Sequence, residues 1–147
     1  MKKQYVILTL LAFALVLPGC KRFFKSSSTD ITATVWQWTA MQETAPASQS
    51  VVPDPQNYTI TFKTDGTATI KADCNNVDAK YKANKKGKMT IKLGASTLMA
   101  CGPNSQDTIY LDSLSKVESY AIVSGQLQLA FPNGGGKMDF KNGGAAQ

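Results

Sequence analysis

Histidine is absent from this 147-residue chain. Its absence removes the ordinary general base near neutral pH, the Ser-His-Asp and Cys-His nucleophile pairs, and nearly every zinc or haem site built on imidazole. Acidic residues are few, with 10 Asp+Glu against 16 Lys+Arg, and no paired-Glu signature of a glycosidase is visible. Long apolar runs are also missing. The longest, Val6 to Leu17, rises about 18 Å as a helix, well short of a hydrocarbon core of roughly 30 Å. Neither repeats nor an inter-domain linker are visible. What remains, 43% hydrophobic and 9% aromatic with 11 Gly and 6 Pro, is the composition of one small globular domain, not of a disordered, collagen-like or polytopic membrane protein.

The first residues read as an export signal. Lys2 and Lys3 precede the apolar run, which ends at Leu17-Pro18-Gly19-Cys20. That ending resembles a bacterial lipobox, and the resemblance implies cleavage after residue 19, acylation of Cys20 as the new N-terminus, and attachment to a membrane surface through two or three acyl chains. Lys21 follows the cysteine where Asp tends to retain lipoproteins on the inner membrane, so the expected location is the outer membrane, facing the periplasm. Residues 20–30 form the tether. Lys21, Arg22 and Lys25, with Phe23 and Phe24, either touch anionic headgroups or simply belong to a solvated spacer. Nucleic acid is not an expected partner, because an exported chain with a modest positive excess does not meet it.

Beyond Asp30 the chain is a series of short alternating segments, which predicts a mainly β (α+β) domain over residues 31–141. Ile31 to Trp38 reads as a strand and Ala45 to Asn57, rich in Pro, Ser and Gln, as a loop. Tyr58, Ile60 and Phe62, then Asp65-Gly66, then Ala68, Ile70 and Ala72 describe a tight hairpin. A second hairpin sets Val77, Ala79, Tyr81 and Ala83 on one face and Asp78, Lys80 and Lys82 on the other; it turns at Asn84 to Gly87 and returns through Met89, Ile91 and Leu93. Tyr110, Leu111, Leu114 and Val117 share a helical face, so a short helix is expected near residues 105–118, with Asn104 and Asp107 as its capping pair. Strands resume from Tyr120 to Phe140, and the polar tail 142–147 is expected to be disordered.

Few residues offer chemistry. With Cys20 set aside, Cys74 and Cys101 remain, either as a disulfide in an oxidising compartment or as buried free thiols. Ser113-Leu114-Ser115-Lys116 matches a Ser-x-x-Lys nucleophile motif without its companion motifs. Asp73, Asn75 and Asp78 lack the loop Gly and closing Glu of a calcium site, and Gly134-Gly135-Gly136-Lys137 lacks the Ser/Thr of a phosphate loop. No metal or cofactor is expected. Lys80, Lys82, Lys88 and Lys92 share one predicted wet face, with Lys85 and Lys86 in its turn. This is either an anion-binding face or a solvated, aggregation-resistant surface.

Trp36-x-Trp38, Tyr58-x-x-x-Phe62, Asp65-Gly66, Cys74-Asn75, Ser96-Thr97-Leu98-Met99-Ala100-Cys101 and Leu127-x-Leu129 together resemble the META domain, or HslJ-like, family from about Ile31 to Phe140. The resemblance implies a curled, partly open antiparallel β-barrel with one helix, similar to pilot lipoproteins of secretins. It also implies a link to heat-inducible expression and novobiocin tolerance, without an assigned catalytic site. The long Thr39–Asn57 segment, and Ala79 where Gly often stands, depart from the family pattern. The functional expectation is a non-catalytic envelope lipoprotein serving as an accessory or binding module, whose partner is an apolar or acylated envelope molecule or an envelope protein. Small inward residues, Ala68, Ala72, Ala79 and Ala83, leave either a packed interior or a narrow apolar slot. The alternative is a small hydrolase using Ser, Lys or carboxylates.

Overall fold

The computed structural model describes residues 30–146. The lipobox, Cys20 and most of the tether lie outside them. Strands β1 (Thr34–Thr44) and β2 (Ala47–Val51) come first, followed by a 3-10 turn at Pro55–Asn57. Next are β3 (Tyr58–Phe62), β4 (Thr67–Ala72), β5 (Asn75–Ala83) and β6 (Met89–Ser96). Helix α1 (Asp107–Ser115) precedes β7 (Ser119–Val123), β8 (Gln126–Ala130) and β9 (Gly136–Ala145). The sheet order is β6-β5-β4-β3-β1-β9-β8-β7, with β2 paired to β1 off this path and the paired strands antiparallel. The sheet curls into an open half-barrel.

The two hairpins form as their alternation predicts. Asp65 Oδ1 accepts from the Thr67 amide and hydroxyl, and Gly66 takes φ +84°, the left-handed conformation that closes a three-residue hairpin loop. Ile60 pairs with Ile70, and Ile70 with Val77, so each strand turns its apolar set to the same side. The edges approach where the β5–β6 turn meets β7: Met89 N–H donates to Glu118 O and Tyr120 N–H to Gly87 O. Across the open side, α1 packs on β4 and β6. It buries Tyr110 and Leu114 completely, and Tyr110 stacks on Trp38 with ring centroids 5.1 Å apart.

Three expectations need correction. The loop foreseen over Ala45–Asn57 contains a strand: β1 runs on to Thr44 and pairs with β2, Met41 opposite Ser50. All of β2 is exposed, so no inward-outward alternation marks it. The tail expected to be disordered from residue 142 instead continues β9 to Ala145, with Asn142 opposite Trp36 and Ala145 opposite Thr34. Asn104 does not cap α1. The N-cap position is Gln106, without a side-chain cap, and the Gln106 amide donates to the Tyr58 hydroxyl instead.

Ala68, Ala72 and Ala79 do face the interior, whereas Ala83 is exposed. Around them Trp38, Phe62, Tyr110, Phe140, Leu127, Leu129 and Met138 are fully buried. Helix α1 thus brings Tyr110 and Leu114 into the space over the small residues.

Candidate functional site

Asn75 organises the first of two surface features. It opens β5 and is 6% exposed. Its Nδ2 donates to Met99 O (3.0 Å) and to Cys101 Sγ (3.3 Å), while its Oδ1 accepts from the Thr97 hydroxyl (3.0 Å) and the Met99 amide (2.9 Å). A neutral carboxamide has two donor hydrogens and two acceptor lone pairs, so its hydrogen-bonding capacity is used in full. The Thr97 hydroxyl also accepts from the Asn76 amide, and Thr97 N–H donates to Asn76 O. Alongside, Cys74 and Cys101 are joined in a disulfide with Cα atoms 5.7 Å apart. Residues 97–101 are therefore tied to the start of β5 twice, once covalently and once by a saturated amide.

This clamp presents apolar residues to water. Leu98 is 94% exposed and Met99 57% exposed. Burying such a side chain is worth about 1.5–3 kcal/mol, a gain this loop forgoes while its backbone is firmly held. Loops positioned by rigid scaffolds commonly carry recognition. The sequence placed Asn75 in a Cys-Asn element and in a rejected calcium set, but its role was not readable because its partners lie 22 to 26 residues away.

The second feature is the lysine face. Lys80, Lys82, Lys85, Lys86, Lys88 and Lys92 are all exposed, but they do not form one cluster. Lys80 stands directly opposite Lys92 in the β5–β6 register, and with Lys82 they line a depression of about 490 Å³ that also meets Asp65 and Tyr81. A second depression of about 490 Å³, around the bulge at Gly94, adds Lys63, Thr69 and Asp78 to Lys80 and Lys92. Lys88 lies apart with Lys82 and Glu118 around a smaller hollow of about 250 Å³. Lys85 and Lys86 sit in the turn, whose backbone is held by Asn84 Oδ1 accepting from the Lys86 and Lys88 amides. Lys63, which the sequence reading left out of the patch, belongs to it. It follows β3 in the outward register, two strands away from Lys80, so spacing along the chain gave no sign of it.

Ion pairs do not neutralise this face. Among the described residues they join Lys116 to Asp112 and Lys137 to Asp139, both away from it. Tyr81 donates to Lys63 O at 2.7 Å. Burial, and then the negative charges of Asp30 and Asp65, raise its hydroxyl above the ordinary 10.0. Asp65 is itself held below the ordinary 3.8 by its bonds to Thr67.

The Ser-x-x-Lys segment is not assembled as a nucleophile and base. Ser113 is buried with its hydroxyl against Met41 Sδ, Ser115 donates to Asp112 O, and Lys116 is drawn to Asp112. Gly134 and Gly135 lie in the turn before β9, and Lys137 pairs with Asp139.

Comparison with known proteins agrees with this architecture. The fold is similar to the NMR structure of a protein from Burkholderia xenovorans, with 24% identity, covering 76% of this chain and 83% of that one, at a TM-score of 0.59. It is also similar to the crystal structure of a DUF4847 family protein from Bacteroides vulgatus, with 17% identity, covering 76% of this chain and 93% of that one, at a TM-score of 0.58. No curated protein matches the chain. The META domain family model matches residues 29–143, from just before the first strand to within the last, and the chain belongs to the META domain family.

Proposed function

We propose that this protein is a non-catalytic lipoprotein of the bacterial envelope, anchored through acyl chains on Cys20 and serving as a binding or accessory module under envelope stress or antibiotic challenge. The observation that carries the reading is the clamp: Asn75 and the Cys74–Cys101 bridge fix a loop whose Leu98 and Met99 project into solvent. A stiff loop with apolar side chains outward is suited to docking, since little ordering entropy is lost when a partner covers them. The signal segment and Lys21 support placement on the outer membrane, facing the periplasm.

The competing hydrolase reading needs Ser113 or Ser115 activated by Lys116, or close buried carboxylates. Two substitutions separate the readings in cells lacking the native gene. Leu98→Asp should reproduce the deletion phenotype in novobiocin tolerance while the purified protein keeps its melting temperature. Ser113→Ala combined with Lys116→Ala should leave tolerance intact. The opposite pattern would replace the binding module with the hydrolase. Acyl labelling tests the anchor: Cys20→Ser should abolish it and leave an uncut precursor.

A further inference from the structure

We propose that the Lys63, Lys80, Lys82 and Lys92 corner rests on the anionic phospholipid surface of the same membrane that holds the acyl chains, so that the domain docks flat against its own anchor. The inference builds on the lipoprotein reading above and adds an orientation to it.

The first ground is where the chain enters the fold. Thr32 forms a bridge with Phe62 at the end of β3. The next residue, Lys63, accepts the Tyr81 hydroxyl through its carbonyl, and Tyr81 lies between Lys80 and Lys82. The tether therefore joins the domain beside the lysine corner, at one end of the sheet. Ten residue steps separate Cys20 from Asp30, and fully extended they reach at most about 36 Å. The cationic corner therefore lies at the attachment end of the sheet, together with Thr34 and Ala145 at the end of the β1–β9 pair.

The second ground is charge. Lys80 and Lys92 face each other directly across two strands, an arrangement that weakens a sheet because like charges meet. No described acid forms an ion pair with either one. Asp65 and Asp78 line the same depressions, and Asp30 is near Tyr81. Asp65 keeps its charge, because its bonds to Thr67 hold the carboxyl below its ordinary range, so the four lysines of the corner exceed Asp30, Asp65 and Asp78 by one charge. The tether contributes Lys21, Arg22 and Lys25. A phosphate between Lys80 and Lys92 would relieve their repulsion. Each lysine brought to an anionic surface contributes about a fivefold factor to the docked population, and that factor fades within a Debye length of about 8 Å at physiological salt.

The test uses the full, processed lipoprotein reconstituted into phosphatidylethanolamine vesicles with or without 30% phosphatidylglycerol. A water-soluble amine-acetylating reagent is applied and labelling is read lysine by lysine by mass spectrometry. Lys80, Lys82 and Lys92 should label at least fivefold more slowly in the anionic vesicles. The protection should vanish at 0.5 M salt and survive millimolar inorganic phosphate, while Lys116 and Lys141 label equally in both. In Lys80→Gln/Lys82→Gln/Lys92→Gln protein, protection of Lys63 should be lost. Equal labelling in both vesicles on an acylated chain overturns the docking and leaves the lipoprotein reading standing. A chain whose N-terminal peptide carries no acyl mass overturns both. Protection found in isolated envelopes but not in protein-free anionic vesicles assigns the face to an acidic protein and overturns the lipid orientation.

Discussion

Replacing Cys74 and Cys101 together by alanine opens a covalent loop of sequence separation 27. In the chain-entropy description the bridge lowers the entropy of the unfolded ensemble by 2.1 + 1.5R ln n cal/mol/K; with n of about 28 the loss on removal is about 3.6 kcal/mol at 25 °C. A domain of about 117 residues gains about 2.1 cal/mol/K per residue on unfolding, so the melting temperature should fall by about 15 °C. The structure also predicts what should survive. Three of the four hydrogen bonds of Asn75, those to Thr97 and to the Met99 amide and carbonyl, do not involve Cys101 Sγ and act within the folded state, so the 97–101 loop should keep its place and the Met99 amide its slow hydrogen exchange. Calorimetry of the wild-type and double-alanine proteins, with exchange measured below both transitions, reads both effects. A fall of less than about 5 °C, or a folded double mutant whose Met99 amide exchanges freely, would refute the division of labour between bridge and carboxamide.

Tyr110 is fully buried and its hydroxyl has no partner among the described residues. Tyr110→Phe should therefore stabilise the protein by about 1 kcal/mol, read as a melting temperature higher by about 4 °C. Burial also raises that hydroxyl well above its ordinary 10.0. A raised folded-state value means stability that is complete below pH 10 and falls as pH climbs from there towards the folded value, and the phenylalanine variant should show a smaller alkaline loss in denaturant titrations at pH 9 and 11. Gly136→Ala should destabilise by about 2 kcal/mol or more, because φ is +135° and a Cβ there would stand 2.1 Å from Gln42 O, a backbone atom in the paired strand. Urea denaturation checks this, and a neutral result would mean that β1 and β9 are not so closely apposed.

Legibility in the sequence followed burial. The hairpins from Tyr58 to Leu93 were readable because each strand carries one apolar and one polar face, with Asp65-Gly66 marking the turn. The β1–β2 ribbon was not, since Ala47–Val51 is exposed on both faces and its pairing is set by the partner strand. The end of β9 was hidden for the same reason: Asn142 to Ala145 are exposed and become strand through backbone bonds to residues more than a hundred positions earlier. Helix α1 was visible as an apolar period, but its N-terminus was misplaced because Tyr58, distant in sequence, supplies an acceptor there. At the site, the lysines on β5 and β6 were legible from alternation, whereas Lys63 joins them through the sheet order, and the exposure of Leu98 and Met99 depends on a clamp whose partners are distant in sequence.

The pairing of β1 with β9, Trp38 against Phe140, bears on how the chain acquires its structure. The first strand is completed by the ninth, so a chain synthesised from its N-terminus holds β1 open on that side until Ala145 has emerged. Contacts that distant make for slow closure, and Trp38 and Met41 stay available to solvent or a chaperone in the interval. A product truncated before β9 would present β1 as an unpaired edge in the middle of the sheet, open to pairing with another chain.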